Sequence, residues 1–140
     1  MIKKQVFIVI LLFTISHQIV AQNLSFESLT CNAQTNPTAV ESAQPSFSWV
    51  VKADGFSKSQ SAYQILVASN AETIEGNNGD LWDSKRVVST ASTAIEYKGK
   101  RLKLGKTCYW KVRVWDEEKP LGRLHPTPSV FNLDGLVFEV

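Results

Sequence analysis

Asp80 and Asp83 bracket Leu81-Trp82 and are the first residues whose types suit chemistry, because paired carboxylates can divide proton donation from proton removal. In an extended segment, however, a three-residue separation turns them to opposite faces, and short acids beside Gly79 suit a turn. Asp116, Glu117 and Glu118 form a second acidic group at a strand end, where mutual repulsion and hydration suit a surface hairpin. A serine or cysteine nucleophile would need His125 as its base with an orienting acid nearby, and His125 sits beside Pro126 in an expected loop. A metal would need clustered histidines or paired cysteines, whereas Cys31 and Cys108 lie far apart. The sequence holds no glycine-rich phosphate or dinucleotide loop. No catalytic residue, metal ligand or cofactor is therefore assigned.

Binding chemistry has better candidates. In Tyr109–Asp116, Trp110, Val112 and Val114 alternate with Tyr109, Lys111, Arg113 and Trp115, the period that turns side chains to opposite sides of a strand. Trp115 thus faces away from Trp110 with Arg113 two residues off, and Trp82 and Tyr97 are expected on nearby strands. Such a ring stacks on a pyranose while polar neighbours bond its hydroxyls, or packs with arginine against another protein surface. Trp115, Arg113, Trp82 and Tyr97 are the candidate contacts for carbohydrate or an adjoining domain.

The elements that must position these residues read as strands. Short apolar segments recur with turn chemistry between them, near Ser28–Asn32, Ser46–Lys52, Ala62–Ser69, Leu81–Val88, Ala94–Tyr97, Thr107–Asp116 and Val130–Asn132. Seven such strands predict an all-β, antiparallel, fibronectin III or immunoglobulin-like sandwich, with Trp110 in its core. Ala53–Gln60 reads as an exposed loop, and Pro120, Pro126 and Pro128 bracket another. Asn70 caps a single helical turn over Ala71–Glu75, stopped by Gly76.

Length and charge set the remaining bounds. Met1-Ile2-Lys3-Lys4, an apolar run from Val6 to Ile15 and Ile19-Val20-Ala21 have the layout of a secretory leader, so residues 1–21 are expected to be removed and residues 22–140 to form one domain. The apolar run is about half the roughly 20 residues of a membrane-spanning helix. Export to the periplasm or exterior without a membrane anchor is the expectation. Of 15 basic and 13 acidic residues, the leader takes Lys3 and Lys4 and no acid, leaving 13 against 13. A neutral domain lacks the basic field that nucleic acid requires. Lys98, Lys100, Arg101, Lys103 and Lys106 do cluster, and read as a solvated edge. An oxidising compartment would permit a disulfide between Cys31 and Cys108, which only geometry decides.

Gly79-Asp80-Leu81-Trp82-Asp83-Ser84, followed by Tyr109-Trp110-Lys111-Val112-Arg113-Val114-Trp115-Asp116, resembles the N-terminal domain of secreted bacterial α-L-rhamnosidases. Pro45-Ser46-Phe47-Ser48-Trp49, Gln60-Ser61-Ala62-Tyr63-Gln64-Ile65 and Phe131-Asn132-Leu133-Asp134-Gly135-Leu136 are similar to its other motifs, in the same order. Two positions depart from the pattern: Lys85 stands where the family usually has glycine, and Arg123-Leu124-His125-Pro126 replaces a Ser-x-Trp-Ser signature. The resemblance implies a sandwich ahead of further β-domains and a helical barrel that hydrolyses terminal α-L-rhamnose by inversion. Its acid and base belong to that barrel, so none transfers to this chain. The expected role is a non-catalytic accessory domain, here without the barrel, whose partners are the following domains of the glycosidase. The alternative is a stand-alone module binding rhamnose-containing carbohydrate or another surface partner.

Overall fold

The computed structural model describes residues 24–53, 59–116, 123–124 and 129–132. The expected leader, most of the 53–60 loop, Glu117, Glu118, His125 and the Gly135-Leu136 end of the last motif lie outside the described residues. Two antiparallel sheets face one another. The smaller joins β1 (Leu24–Cys31), β2 (Ser46–Ala53) and β6 (Ile95–Glu96) in the order β1-β2-β6. The larger is centred on β3 (Gln60–Ala68) and β7 (Thr107–Asp116); β4 (Trp82–Asp83) and β5 (Val87–Val88) pair with β3, while β8 (Arg123–Leu124) and β9 (Ser129–Asn132) pair with β7. The helix α1 (Ala71–Glu75) follows β3. The all-β sandwich expected from the strand pattern is the observed fold.

Alternation decides which side chains meet between the sheets. From β2, Phe47 and Trp49 point inward; from β3, Tyr63, Ile65 and Val67; from β7, Cys108, Trp110, Val112 and Val114, all in one buried cluster. Phe47 and Trp110 touch across the gap with ring centroids 4.6 Å apart, and Trp49 meets Tyr63 edge to face at 5.2 Å. A buried indole N–H needs an acceptor. Trp49 Nε1 donates to Gln60 Oε1 at 2.7 Å, and Gln60 Nε2 donates to the Ala91 carbonyl at 2.8 Å. Gln60, read from sequence as the end of a loop, thus belongs to β3 and holds the core ring.

Three sequence expectations are corrected. β1 begins at Leu24 rather than Ser28, because a bulge between Phe26 and Ser28 shifts the alternation. The single strand expected over Leu81–Val88 is two short ones, since Lys85 adopts φ 57° and breaks the ladder between them. The left-handed turn therefore forms with lysine in the place where the resembling family has glycine. The helix is capped as expected, Asn70 Oδ1 accepting from Thr73 N at 2.8 Å. Its end differs: Gly76 keeps φ −70°, and Asn77 at φ 57° takes the left-handed position.

Candidate functional site

The outer face of the larger sheet carries Tyr109, Lys111, Arg113 and Trp115 from β7, in register with Ala68, Leu66, Gln64 and Ala62 of β3. One end is closed by α1, whose Ile74 packs with Leu66, Ala68 and Tyr109 in a second small core. Lys111 lies beneath this cover, 5% exposed, with Nζ 3.4 Å from Asn77 Oδ1. Its alkyl stem fills apolar space while the ammonium reaches the helix end. A row of polar contacts continues along the sheet. Gln64 Nε2 donates to Asp83 Oδ1 at 2.7 Å, Lys85 N donates to the same oxygen at 2.8 Å, and Lys85 Nζ pairs with Asp83 Oδ2 at 2.7 Å.

Trp115 lies at the far end of this face and is only 7% exposed. The guanidinium of Arg86 stands 5.4 Å from its ring centroid and that of Arg113 5.9 Å. Two cations thus share one indole, an arrangement favoured by the ring's negative faces. Arg113 Nε is buried with no hydrogen-bond partner. The open stacking face expected of Trp115 is largely covered, which leaves little ring for a pyranose.

Trp82 and Tyr97 do not join Trp115. Trp82 is in register with Val67 and packs on the inner core, and Tyr97 is 3% exposed within it, meeting Trp82 edge to face at 5.3 Å. The Tyr97 hydroxyl reaches the Lys100 carbonyl at 2.6 Å, and burial pushes it up to about 12. The four candidate contacts therefore split into an outer pair and an inner pair. Parity could have shown this: Tyr97 shares a strand face with the apolar Ile95. Arg86 was missed, because its approach to Trp115 depends on the Lys85 turn and carries no sequence signal.

The two acids are held in structural roles. Asp80 accepts from Ser69 N at 2.9 Å and Ser69 Oγ at 2.6 Å. Partial burial works to raise both carboxyls, but hydrogen bonds from Ser69 to Asp80 and from Gln64 and Lys85 to Asp83 outweigh it, holding both below the usual value. Lowered carboxyls already occupied by donors are poor proton donors at neutral pH. Cys31 and Cys108 are both buried free thiols. Burial, with Cys108 adding, pushes Cys31 up to about 12, and burial with Asp80 pushes Cys108 up to about 11, so neither is a nucleophile near neutrality. Among the described residues no three His, Cys, Asp or Glu side chains come together to hold a metal, and no helix is long and apolar enough to cross a membrane.

Comparison with known proteins follows the same line. A family model described as the Rha78A-like, N-terminal immunoglobulin domain matches residues 26–129. An alpha-L-rhamnosidase of Formosa agariphila is 50% identical over 95 residues, covering 68% of this chain and 10% of the relative. One from an Alteromonas species is 35% identical over 103 residues, covering 73% and 11%. Among solved structures, alpha-L-rhamnosidase from Dictyoglumus thermophilum superposes with TM-score 0.73 at 36% identity, covering 79% of this chain and 12% of that one. The Streptomyces avermitilis enzyme complexed with L-rhamnose gives 0.73 at 32%, covering 80% and 11%. The chain spans about a tenth of the length of the curated relatives it matches.

Proposed function

Since this chain belongs to the family of Rha78A-like N-terminal immunoglobulin domains, we propose that it serves as the non-catalytic accessory domain of an exported α-L-rhamnosidase, docking on and supporting the domains that follow. The observation that carries this reading is the coverage: relatives named as alpha-L-rhamnosidases match along most of this chain, yet the match makes up only about a tenth of their length. The side chains agree. Asp80 and Asp83 are consumed by donors from their own domain, whereas an inverting glycosidase needs two available carboxyl groups roughly 6.5–9.5 Å apart across a sugar cleft. Export is supported by the charged, apolar and small-residue layout of residues 1–21.

A chimera tests the reading directly. This chain replaces the matching segment of the Formosa agariphila relative, and hydrolysis of an aryl α-L-rhamnoside is followed. Activity comparable to that of the relative, with none from this chain alone, is the expected result. Rhamnose release by the isolated chain, abolished by substituting one of its own acids, would overturn it. Carbohydrate binding is tested by calorimetry with rhamnose-containing oligosaccharides. Heat that disappears in Trp115→Ala would establish that second role, and the covered indole predicts none.

A further inference from the structure

Lys98, Lys100, Arg101, Lys103 and Lys106 are all exposed and gather at one end of the sandwich. Their backbone is pinned rather than loose. Lys100 N donates to the Leu81 carbonyl at 2.9 Å, the Tyr97 hydroxyl holds the Lys100 carbonyl, and Gly99 packs so closely that a Cβ there would lie 2.5 Å from Leu81 O, Trp82 Cβ and Tyr97 Oη. Between Arg101 and Lys106 opens a cleft of about 380 Å³. Exposed Arg101, Lys103, Lys106 and Thr107 line it with Ser69 and the less exposed Leu81, Leu102 and Cys108. Among the described residues no carboxylate lines it, and the nearest, Asp80, is held by Ser69 beside it. Leu104, 57% exposed on the turn made by Gly105 at φ 69°, projects an apolar side chain amid these cations.

The direction of the chain says what lies nearby. β9 runs antiparallel to β7 and places Asn132, the last described residue, opposite Thr107 and next to Lys106. In a family defined as an N-terminal domain, the remainder of the longer protein follows from this end. Leu24, paired with Ala53, lies at the other end of the smaller sheet from Cys31, which pairs with Phe47.

We propose that this cationic end is the seat of the following domain, which docks on Leu104 and inserts carboxylate side chains into the Arg101–Lys103–Lys106 cleft. The inference rests on the accessory-domain reading and gives it a location. Charge complementarity selects an acidic partner, and an exposed leucine within a charged rim suits a protein interface. A sugar is disfavoured because, among the described residues, no aromatic ring lines the cleft to stack on a pyranose.

The same chimera provides the test, in its original form and with Arg101→Glu, Lys103→Glu and Lys106→Glu combined. Proteolysis at the junction after residue 132 is timed at low and high salt. The original chimera is expected to be protected, with protection weakening in salt, and the charge-reversed one to be cut roughly tenfold faster at low salt, as expected for three charged rim contacts. Equal cleavage of the two, with the original protected, overturns the seat and leaves the accessory reading standing. An original chimera that is inactive and as readily cut as an open linker overturns the accessory reading itself. Amide spectra of the reversed chain alone check that it folds. Should it not, Lys103→Gln with Lys106→Gln replaces it, with roughly threefold faster cleavage expected. Amide shifts at residues 98–106 on adding neutral rhamno-oligosaccharide would also count against the seat.

Discussion

The two faces of the β3–β7 pair are covered by different means: the inner side chains are all buried, whereas Gln64, Tyr109 and Arg113 on the outer face are only partly so. On the inner face, Tyr63, Ile65 and Val67 meet Trp110, Val112 and Val114 against the aromatic rings of the second sheet. On the outer face, Lys111 and Trp115 are 5% and 7% exposed; Asn77 at the helix end meets Lys111, and two guanidiniums stand by the Trp115 ring. The first is interlocked packing that a void would disrupt. The second joins a small apolar cluster under α1 to long polar side chains, of which the exposed Arg86 can swing into water. Burial alone therefore misjudges which tryptophan matters more to stability.

Truncating one ring from each face puts the largest effect first. Trp110→Ala should lower unfolding free energy by about 3–5 kcal/mol, read from urea denaturation, because its neighbours cannot collapse into the space. Next in size is the alkaline limb of stability, which reports the inner face. Cys31, Cys108 and Tyr97 all sit in that cluster with raised values, so the unfolded chain loses these protons first. Their contribution is complete below about pH 9, falls as pH rises, and is gone above about 12. The acid limb instead reports Asp83 on the outer face and Asp80 at its edge. Their lowered values give stability that is present above pH 3.8 and lost as pH falls below it. Denaturation midpoints followed across pH separate the two limbs.

Smaller effects belong to the covering. Trp115→Ala should cost about 2 kcal/mol, since the exposed Arg86 can retreat into solvent. A loss equal to that of Trp110→Ala would break the comparison. Asn70→Ala removes the cap of the helix lying over Leu66 and should cost about 1 kcal/mol. Amide exchange at Lys111 and Tyr109 should then quicken more than at Val112, which would sharpen the contrast.

Alternation made the inner face legible before any coordinates, because Phe47, Trp49, Ile65, Val67, Trp110 and Val112 keep strict parity along straight strands. Parity failed where the backbone departs from a straight ladder. The bulge near Glu27 hid the start of β1, and the left-handed Lys85 cut one expected strand into two. The outer face was legible only as an alternation of types. There Trp115 meets Arg86, 29 positions earlier, and Lys111 meets Asn77, 34 positions earlier. Neither pairing leaves a local trace. The cationic cluster was visible as composition, but its cleft also needs Ser69 and Leu81, distant in sequence from Arg101–Cys108, which composition does not convey.

The bulge in β1 has a bearing on how such a domain behaves beside its own copies. β1 is an outer strand of the smaller sheet, and the irregularity at Glu27 sits in the middle of its eight residues, with the Glu27 carboxylate paired to Lys52 at 2.8 Å. An incoming strand from a second molecule would find its hydrogen-bond spacing out of step after two or three residues and a charged pair in its path. A kink that obscures the pattern to a reader of the sequence also makes this margin a poor template for fibril growth.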